Sequence, residues 1–225
     1  MKKKSYEITR ELRYYQEGFR SCNVYVLTCF DSEVVFDPSL GTDSIDQKYP
    51  VSKLIATHAH YDHIGRVNEW KSEYPAVPFL MHGGDIPMLG DADLNASILF
   101  GRPGTFPKPD RVLNEGDVIE LDSRYYLDVL NTPGHTMGSS CFIINRREDH
   151  TDRPVAVISG DTLFDRGWGR TDFATGDDAL MRGSLRRLYR VLSKLPEGMP
   201  VCPGHSSITN ASDACRFLAF MGFAD

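Results

Sequence analysis

Four short apolar runs in this chain each lead into a histidine or aspartate, residue types that commonly bind metal ions, and that pattern narrows the folds open to it. Leu54-Ile55-Ala56 leads to His58, Val129-Leu130 to His135, Val157-Ile158 to Asp161, and Val201-Cys202 to His205. Runs of this length and composition read as buried strands. A rigid sheet that presents side chains at its strand ends can gather donors from distant parts of a chain into one cleft. The fold must therefore be strand-based, with several strand ends meeting. In Gly134, Gly160 and Gly204 a glycine directly precedes a donor, which permits a tight turn without a side chain crowding the ion.

The densest stretch is Thr57-His58-Ala59-His60-Tyr61-Asp62-His63, with three imidazoles and one carboxylate within six residues. Neutral imidazole is the commonest protein ligand for zinc and related ions, and carboxylate is a normal companion. A lone histidine before a turn is ordinarily just a polar loop residue; four donors this close are not. In extended chain, residues i and i+2 point the same way, so His58 and His60 can share one ion. If a helix follows, Asp62 and His63 in its first turn are displaced toward a second. Read alone, the cluster fits one crowded ion or two. With His135 and His205, each in a Pro-Gly-His turn, seven ligands suit two ions. His58, His60 and His135 would hold one, and Asp62, His63 and His205 the other. Asp161 would bridge them. Zinc, iron and manganese all accept such nitrogen and oxygen donors. Of the seven histidines, His82 and His150 read as ordinary loop residues.

Elsewhere the alternation through Tyr6, Ile8, Arg10 and Leu12 predicts a first strand, and Gln16 to Ser21 a polar turn. Val24–Phe30 and Glu33–Phe36, separated by Asp31-Ser32, predict a hairpin. Val77–Met81, Asp117–Leu121, Tyr125–Leu130, Ser140–Asn145, Val155–Ile158 and Pro200–Cys202 read as further strands. A helix is expected from Ile64 through Val67 and Trp70, and a weak one over Asp85–Leu94. The longest spans Asp177 to Leu195, capped by Asp177, with an apolar face and an opposing solvated arginine stripe. A last helix covers Ser212–Phe220. The proline- and glycine-rich segment Gly101–Pro109 reads as a flexible rim. Strands followed by alternating strands and helices, without a low-complexity linker, predict one domain over 1–225 with mixed sheets and outer helices.

The net charge of −6, with Lys2-Lys3-Lys4 the one basic run, speaks against a nucleic-acid partner. No apolar segment follows those lysines, and no apolar stretch approaches ~20 residues, so neither a signal peptide nor a membrane span is expected. The five cysteines are odd in number and scattered, with no Cys-x-x-Cys, as for reduced thiols in a cytoplasm.

Four motifs together resemble the metallo-β-lactamase superfamily: Thr-His-Ala-His-Tyr-Asp-His at 57–63, Thr-Pro-Gly-His-Thr-Met-Gly-Ser at 132–139, Ser-Gly-Asp-Thr-Leu-Phe at 159–164 and Pro-Gly-His at 203–205. The resemblance runs from Asn23 to the C-terminus. It implies an α/β fold of the four-layer αβ/βα sandwich type, two divalent ions, chiefly zinc, and the ligand set above. It also implies that Asp37, in Phe-Asp-Pro, buttresses a metal-binding histidine.

Within the superfamily, Asp161 stands where penicillin-degrading enzymes usually have cysteine or serine. Asp161-Thr-Leu-Phe followed by Gly-Trp-Gly-Arg-Thr-Asp-Phe at 167–173 resembles the glyoxalase II-like group. Only 20 residues follow His205, so the helical domain of full glyoxalase II is missing from this sequence, and the likeness is to the short hydrolases of that group. The implied reaction is hydrolysis of a small thioester or related ester by a hydroxide shared between the ions, with Asp62 orienting the water and relaying its proton. Tyr61, Arg166 and Arg170 are the candidates for substrate contact, although Arg170 could instead brace its loop by pairing with Asp172. Two rivals use the same chain. One is a persulfide dioxygenase with a single iron on His58, His135 and Asp161. The other is a metal-stabilised scaffold without turnover.

Overall fold

The computed structural model describes every residue except Met1, 18–20, His150 and Asp225. The turn expected over Gln16–Ser21 lies partly, and His150 wholly, outside the described residues. The chain divides into two compact units, Met1–Leu113 and Asn114–Asp225.

The first unit carries a seven-stranded sheet whose spatial order follows the sequence: β1 (Ser5–Glu7), β2 (Leu12–Tyr15), β3 (Val24–Thr28), β4 (Glu33–Phe36), β5 (Val51–Ile55), β6 (Phe79–His82) and β7 (Arg111–Leu113). The first four strands pair antiparallel, and β4 to β7 run parallel. The β3–β4 hairpin matches the sequence reading. The single strand expected over Tyr6–Leu12 does not: the chain turns there, because Thr9 Oγ1 accepts the N–H groups of Glu11 and Leu12 and so competes with the ladder. Parallel neighbours cannot be joined by tight hairpins, and two short helices make the β5–β6 crossover. These are α1 (Tyr61–Ile64) and α2 (Val67–Glu73). α2 anchors through Trp70, which is fully buried and donates its indole N–H to the Leu40 carbonyl at 2.8 Å. The weak helix expected over Asp85–Leu94 is a 3-10 turn over Gly83–Gly90.

The second unit carries a six-stranded sheet ordered β13-β12-β11-β10-β9-β8. Its strands are β8 (Val118–Glu120), β9 (Tyr125–Asn131), β10 (Ser140–Arg146), β11 (Arg153–Gly160), β12 (Pro200–Pro203) and β13 (Thr209–Asn210), with α3 (Asp178–Leu192) and α4 (Ala211–Phe220). All pairs are antiparallel except β11 with β12, the one pair joined by a long crossover, which contains α3. Asp177 caps α3 by accepting the Leu180 N–H at 2.9 Å. The helix buries Met181, Leu185, Leu188 and Leu192 against this unit's own core. Each such side chain contributes roughly 1.5–3 kcal/mol. The arginine stripe is only partly solvated: Arg187 reaches down to Glu115 and to the Asn131 carbonyl. Among the described residues no helix is long and apolar enough to cross a membrane.

Candidate metal centre

In the first unit the donor cluster begins at His58, three residues beyond the end of β5. A single carboxylate, Asp37, organises it. Asp37 closes β4 with a left-handed φ of 51°. It accepts the Thr57 N–H at 2.7 Å, the Thr57 hydroxyl at 3.0 Å and His63 Nδ1 at 2.9 Å. A carboxylate only accepts, so His63 carries its proton on Nδ1 and presents Nε2 as a lone-pair donor. The Thr57 hydroxyl spends its proton on Asp37, so at 3.1 Å it accepts from His58 Nδ1, and His58 likewise presents Nε2.

His58 Nε2 stands 3.1 Å from His60 Nδ1, and His63 Nε2 stands 3.9 Å from Asp62 Oδ2. Two donors on one tetrahedral zinc, each at about 2.0–2.1 Å, are about 3.3 Å apart. The first pair is close to that spacing; the second is wider but still among donors that could hold one ion. His58, His60 and His63 are buried at 1%, 3% and 0% exposure, while Asp62 is half-buried. The backbone between His58 and His60 is pinned by Asp85, fully buried, whose carboxylate accepts the Ala59 N–H at 3.0 Å. Asp85 was not singled out in the sequence.

In the second unit β9 runs into a turn at Thr132–Ser139 that is closed on itself. Thr132 N–H donates to the Ser139 carbonyl at 2.7 Å, and the Thr132 and Thr162 hydroxyls meet at 2.6 Å. That second contact fastens the turn to the end of β11, where Asp161 lies. His135 Nδ1 donates to the Arg170 carbonyl at 2.7 Å, which again leaves Nε2 as the ligand atom. Asp161 Oδ2 lies 3.6 Å from His135 Nε2 and 3.6 Å from His205 Nε2. One carboxylate oxygen between two imidazoles is what a bridging ligand requires. Gly204 N–H donates to the Gly160 carbonyl at 2.8 Å and holds the ends of β11 and β12 in register.

The segment after Asp161 wraps back on Asp161 and His135. Gly169 N–H donates to the Asp161 carbonyl at 2.8 Å, and a Cβ at Gly169 would lie 2.2 Å from that oxygen and 3.0 Å from the His135 ring. Arg170 follows the bracing alternative for its side chain: its guanidinium forms two bonds to Asp172, at 2.5 and 2.6 Å, and lies 4.3 Å over the Phe173 ring. Arg166 is exposed. Tyr61 opens α1 and packs against Phe100 and Phe106 in the first unit. His82, expected in a loop, ends β6 and accepts the Gly84 N–H. Each of the seven predicted ligands is a donor that could hold a metal ion. Their nitrogen and carboxylate chemistry suits divalent ions.

These strand-end donors define the class: the chain belongs to the metallo-β-lactamase superfamily, whose family profile matches residues 18–219. With this fold and these donors it is a metal-dependent hydrolase in the general sense. Among curated relatives it is 33% identical to "Probable metallo-hydrolase YqgX" of Bacillus subtilis (strain 168), over 84% of this chain and 86% of that one. It is 30% identical to hydroxyacylglutathione hydrolase GloC of Haemophilus influenzae, over 75% and 74%. Among solved structures it is similar to BLEG-1, a B3 metallo-β-lactamase, with a TM-score of 0.75, 29% identity and coverage of 93% and 99%. It is also similar to TTHA1623 in a di-iron-bound form, with a TM-score of 0.71, 28% identity and coverage of 92% and 98%.

Proposed function

We propose that the protein is a dinuclear hydrolase of thioesters or related esters, resembling the short glyoxalase II-like enzymes, and that its two units work as one domain over 1–225. His58, His60 and His135 would hold one ion, and Asp62, His63 and His205 the second. Asp161 would be shared between them. Zinc is the first choice for both ions. Bound there, the ions would bring the pKa of water to roughly 7 and polarise the substrate carbonyl.

The chain's own residues do the positioning. Asp37 and the Arg170 carbonyl hold three imidazoles in the tautomer that leaves Nε2 for the ion. Asp62, half-buried at the start of α1, would orient water and relay its proton to the leaving group. A thiolate leaves readily, so a thioester needs little acid help. The relative named hydroxyacylglutathione hydrolase supports this substrate class. None of the five cysteines is in a disulfide, which supports a reducing compartment such as the cytoplasm.

The single observation that carries the dinuclear reading is His63. A one-iron dioxygenase would not use it, yet it is fully buried, tautomer-locked by Asp37 and among donors that, with Asp62, could hold one ion. The deciding experiment pairs elemental analysis of the purified protein with a substrate panel of a thioester, a β-lactam and glutathione persulfide. Two metals per chain with thioester cleavage is the expected result. One iron with oxygen uptake on the persulfide, or full thioesterase activity in His63→Ala, would overturn the proposal.

A further inference from the structure

The 101–109 segment, read from the sequence as a flexible rim, is tied down along its length. Asn95 Nδ2 donates to the Gly104 carbonyl at 3.0 Å, and Ser97 Oγ accepts the Gly104 N–H at 3.0 Å. Asn68 Nδ2 donates to the Thr105 carbonyl at 2.9 Å, and Phe106 N–H to the Leu89 carbonyl at 2.8 Å. Asn95 and Ser97 are fully buried, so the two bonds to Gly104 are anchored from the interior, while the Asn68 bond lies at the surface. The Asn95 carbonyl in turn accepts the Tyr61 N–H at 2.8 Å, which registers the whole loop on the residue next to Asp62.

The consequence is a built wall. The 3-10 turn Ser97–Phe100 lies between left-handed residues at Ala96 (φ 61°) and Gly101 (φ 66°), which turn the chain back on itself. Phe100 and Phe106 come to rest 5.3 and 6.1 Å from the Tyr61 ring. Beside them opens a cleft of about 320 Å³ whose lining includes Tyr61, Asp62, Phe100, Arg66 and Arg102. That is the size of a small-molecule subsite.

Its charges are unevenly committed. Glu17, also in the lining, pairs with Lys3 at 2.8 Å, and Arg66 pairs with Glu69 at 3.1 Å. Asp62 belongs to the metal cluster. Among the described residues, Arg102 makes no ion pair, and its N–H is held by the Ser97 carbonyl at 3.1 Å. A planar guanidinium set on a fixed loop at the edge of an aromatic-walled cleft matches a carboxylate in fork-to-fork geometry.

We infer that this cleft is a specificity subsite for a carboxylate-bearing arm of the substrate, with Arg102 as its ionic anchor and Tyr61 and Phe100 as its apolar walls. This rests on the thioester-hydrolase reading above. The carboxylate can come from either the thiol or the acyl side.

The test compares the wild-type holoenzyme with Arg102→Ala and Arg102→Lys on three thioesters: neutral S-acetyl-N-acetylcysteamine, S-acetylglutathione with its charge on the thiol side, and S-succinyl-N-acetylcysteamine with its charge on the acyl side. For one charged substrate, Arg102→Ala should raise KM about ten-fold more than for the neutral one, with little change in kcat and partial rescue by lysine. The substrate that responds identifies the arm. Equal KM changes on all three would overturn the inference. Calorimetry on the same proteins makes the result independent of turnover. S-hexylglutathione and S-(3-carboxypropyl)-N-acetylcysteamine carry a carboxylate, and N-acetyl-S-hexylcysteamine is neutral. Weaker binding of a charged thioether alone in Arg102→Ala supports the subsite even if no thioester is cleaved. If the wild type binds none of them, or if the mutation affects all alike, the subsite is refuted.

Discussion

Asp37 concentrates more of the site's organisation than any ligand. It reaches His63 directly and His58 through the Thr57 hydroxyl, so one carboxylate sets two tautomers. Its left-handed φ of 51° is a conformation that Asp and Asn tolerate and that costs other residues about 1–2 kcal/mol. Asp37→Asn is therefore the clean probe. It keeps the backbone and the volume but has one acceptor oxygen where the carboxylate uses two. The expected outcome is a 10–100-fold loss of metal affinity in competition with a chromophoric chelator, with far-UV circular dichroism unchanged. Unchanged affinity would mean that the imidazoles are oriented by packing alone. The proposed ligands stand out in the sequence because the histidines and Asp62 cluster or sit in repeated Pro-Gly-His turns, with Asp161 in a Gly-Asp turn of its own. Asp85 does not, since its carboxylate serves a backbone N–H 26 residues away and leaves no local pattern. Arg170 was noticed for its side chain, whereas the atom that orients His135 is its carbonyl, which every residue type carries.

At the scale of elements, strands and helices followed periodicity wherever one apolar face dominates. α3 with its Asp177 cap and the β3–β4 hairpin are the clear cases. The reading failed where a side chain redirects the backbone, as Thr9 does between β1 and β2. It also passed over β7, whose three residues alternate too briefly to register. Gly134 is a second constraint that periodicity cannot reveal. Its φ is 143°, and a Cβ there would lie 2.4 Å from the Met181 Cα. Backbone cannot rotate away as a side chain can, so Gly134→Ala must push α3 outward. A loss of about 1–3 kcal/mol in chemical denaturation is expected, together with weaker metal retention, because His135 is the next residue. Wild-type stability would show that the turn rearranges instead.

Asp110 makes a smaller and pH-dependent contribution. It takes the Lys71 ammonium and the Phe79 N–H, each at 2.8 Å, and they hold its carboxyl below the usual carboxylate range. A depressed folded pKa stabilises above the unfolded value near 4 and is lost as pH falls through the folded one. The side chain is 47% exposed, so the contribution is only about 0.5–1 kcal/mol. Asp110→Asn should lower Tm by roughly 1–4 °C at pH 7. That gap should close as the pH falls below about 4. A gap that persists in acid would assign the effect to packing.

On the scale of the whole chain, each unit has its own sheet and its own apolar core, and each carries part of the donor set. The order of strand-end donors made the superfamily readable. The division into units did not appear as a linker, because β7 passes into the second unit through Asn114-Glu115-Gly116, a tight polar turn without compositional bias. Buried imidazoles and carboxylates cost stability when their lone pairs face one another without a cation. Folding and metal binding should then be linked under the proposed function, since a preformed metal site rarely exists in an unfolded chain. An ion present at about 100 times its Kd adds roughly 2.7 kcal/mol to the folded state. For a chain of 225 residues that corresponds to about 5–10 °C in Tm. Removal of metal with a chelator should lower Tm by at least that amount, and re-addition of zinc should restore it in proportion to the logarithm of free zinc. The same titration on His63→Ala should keep one binding step and lose the other. Two steps in that variant, or a Tm indifferent to chelation, would be incompatible with a dinuclear centre built on these residues.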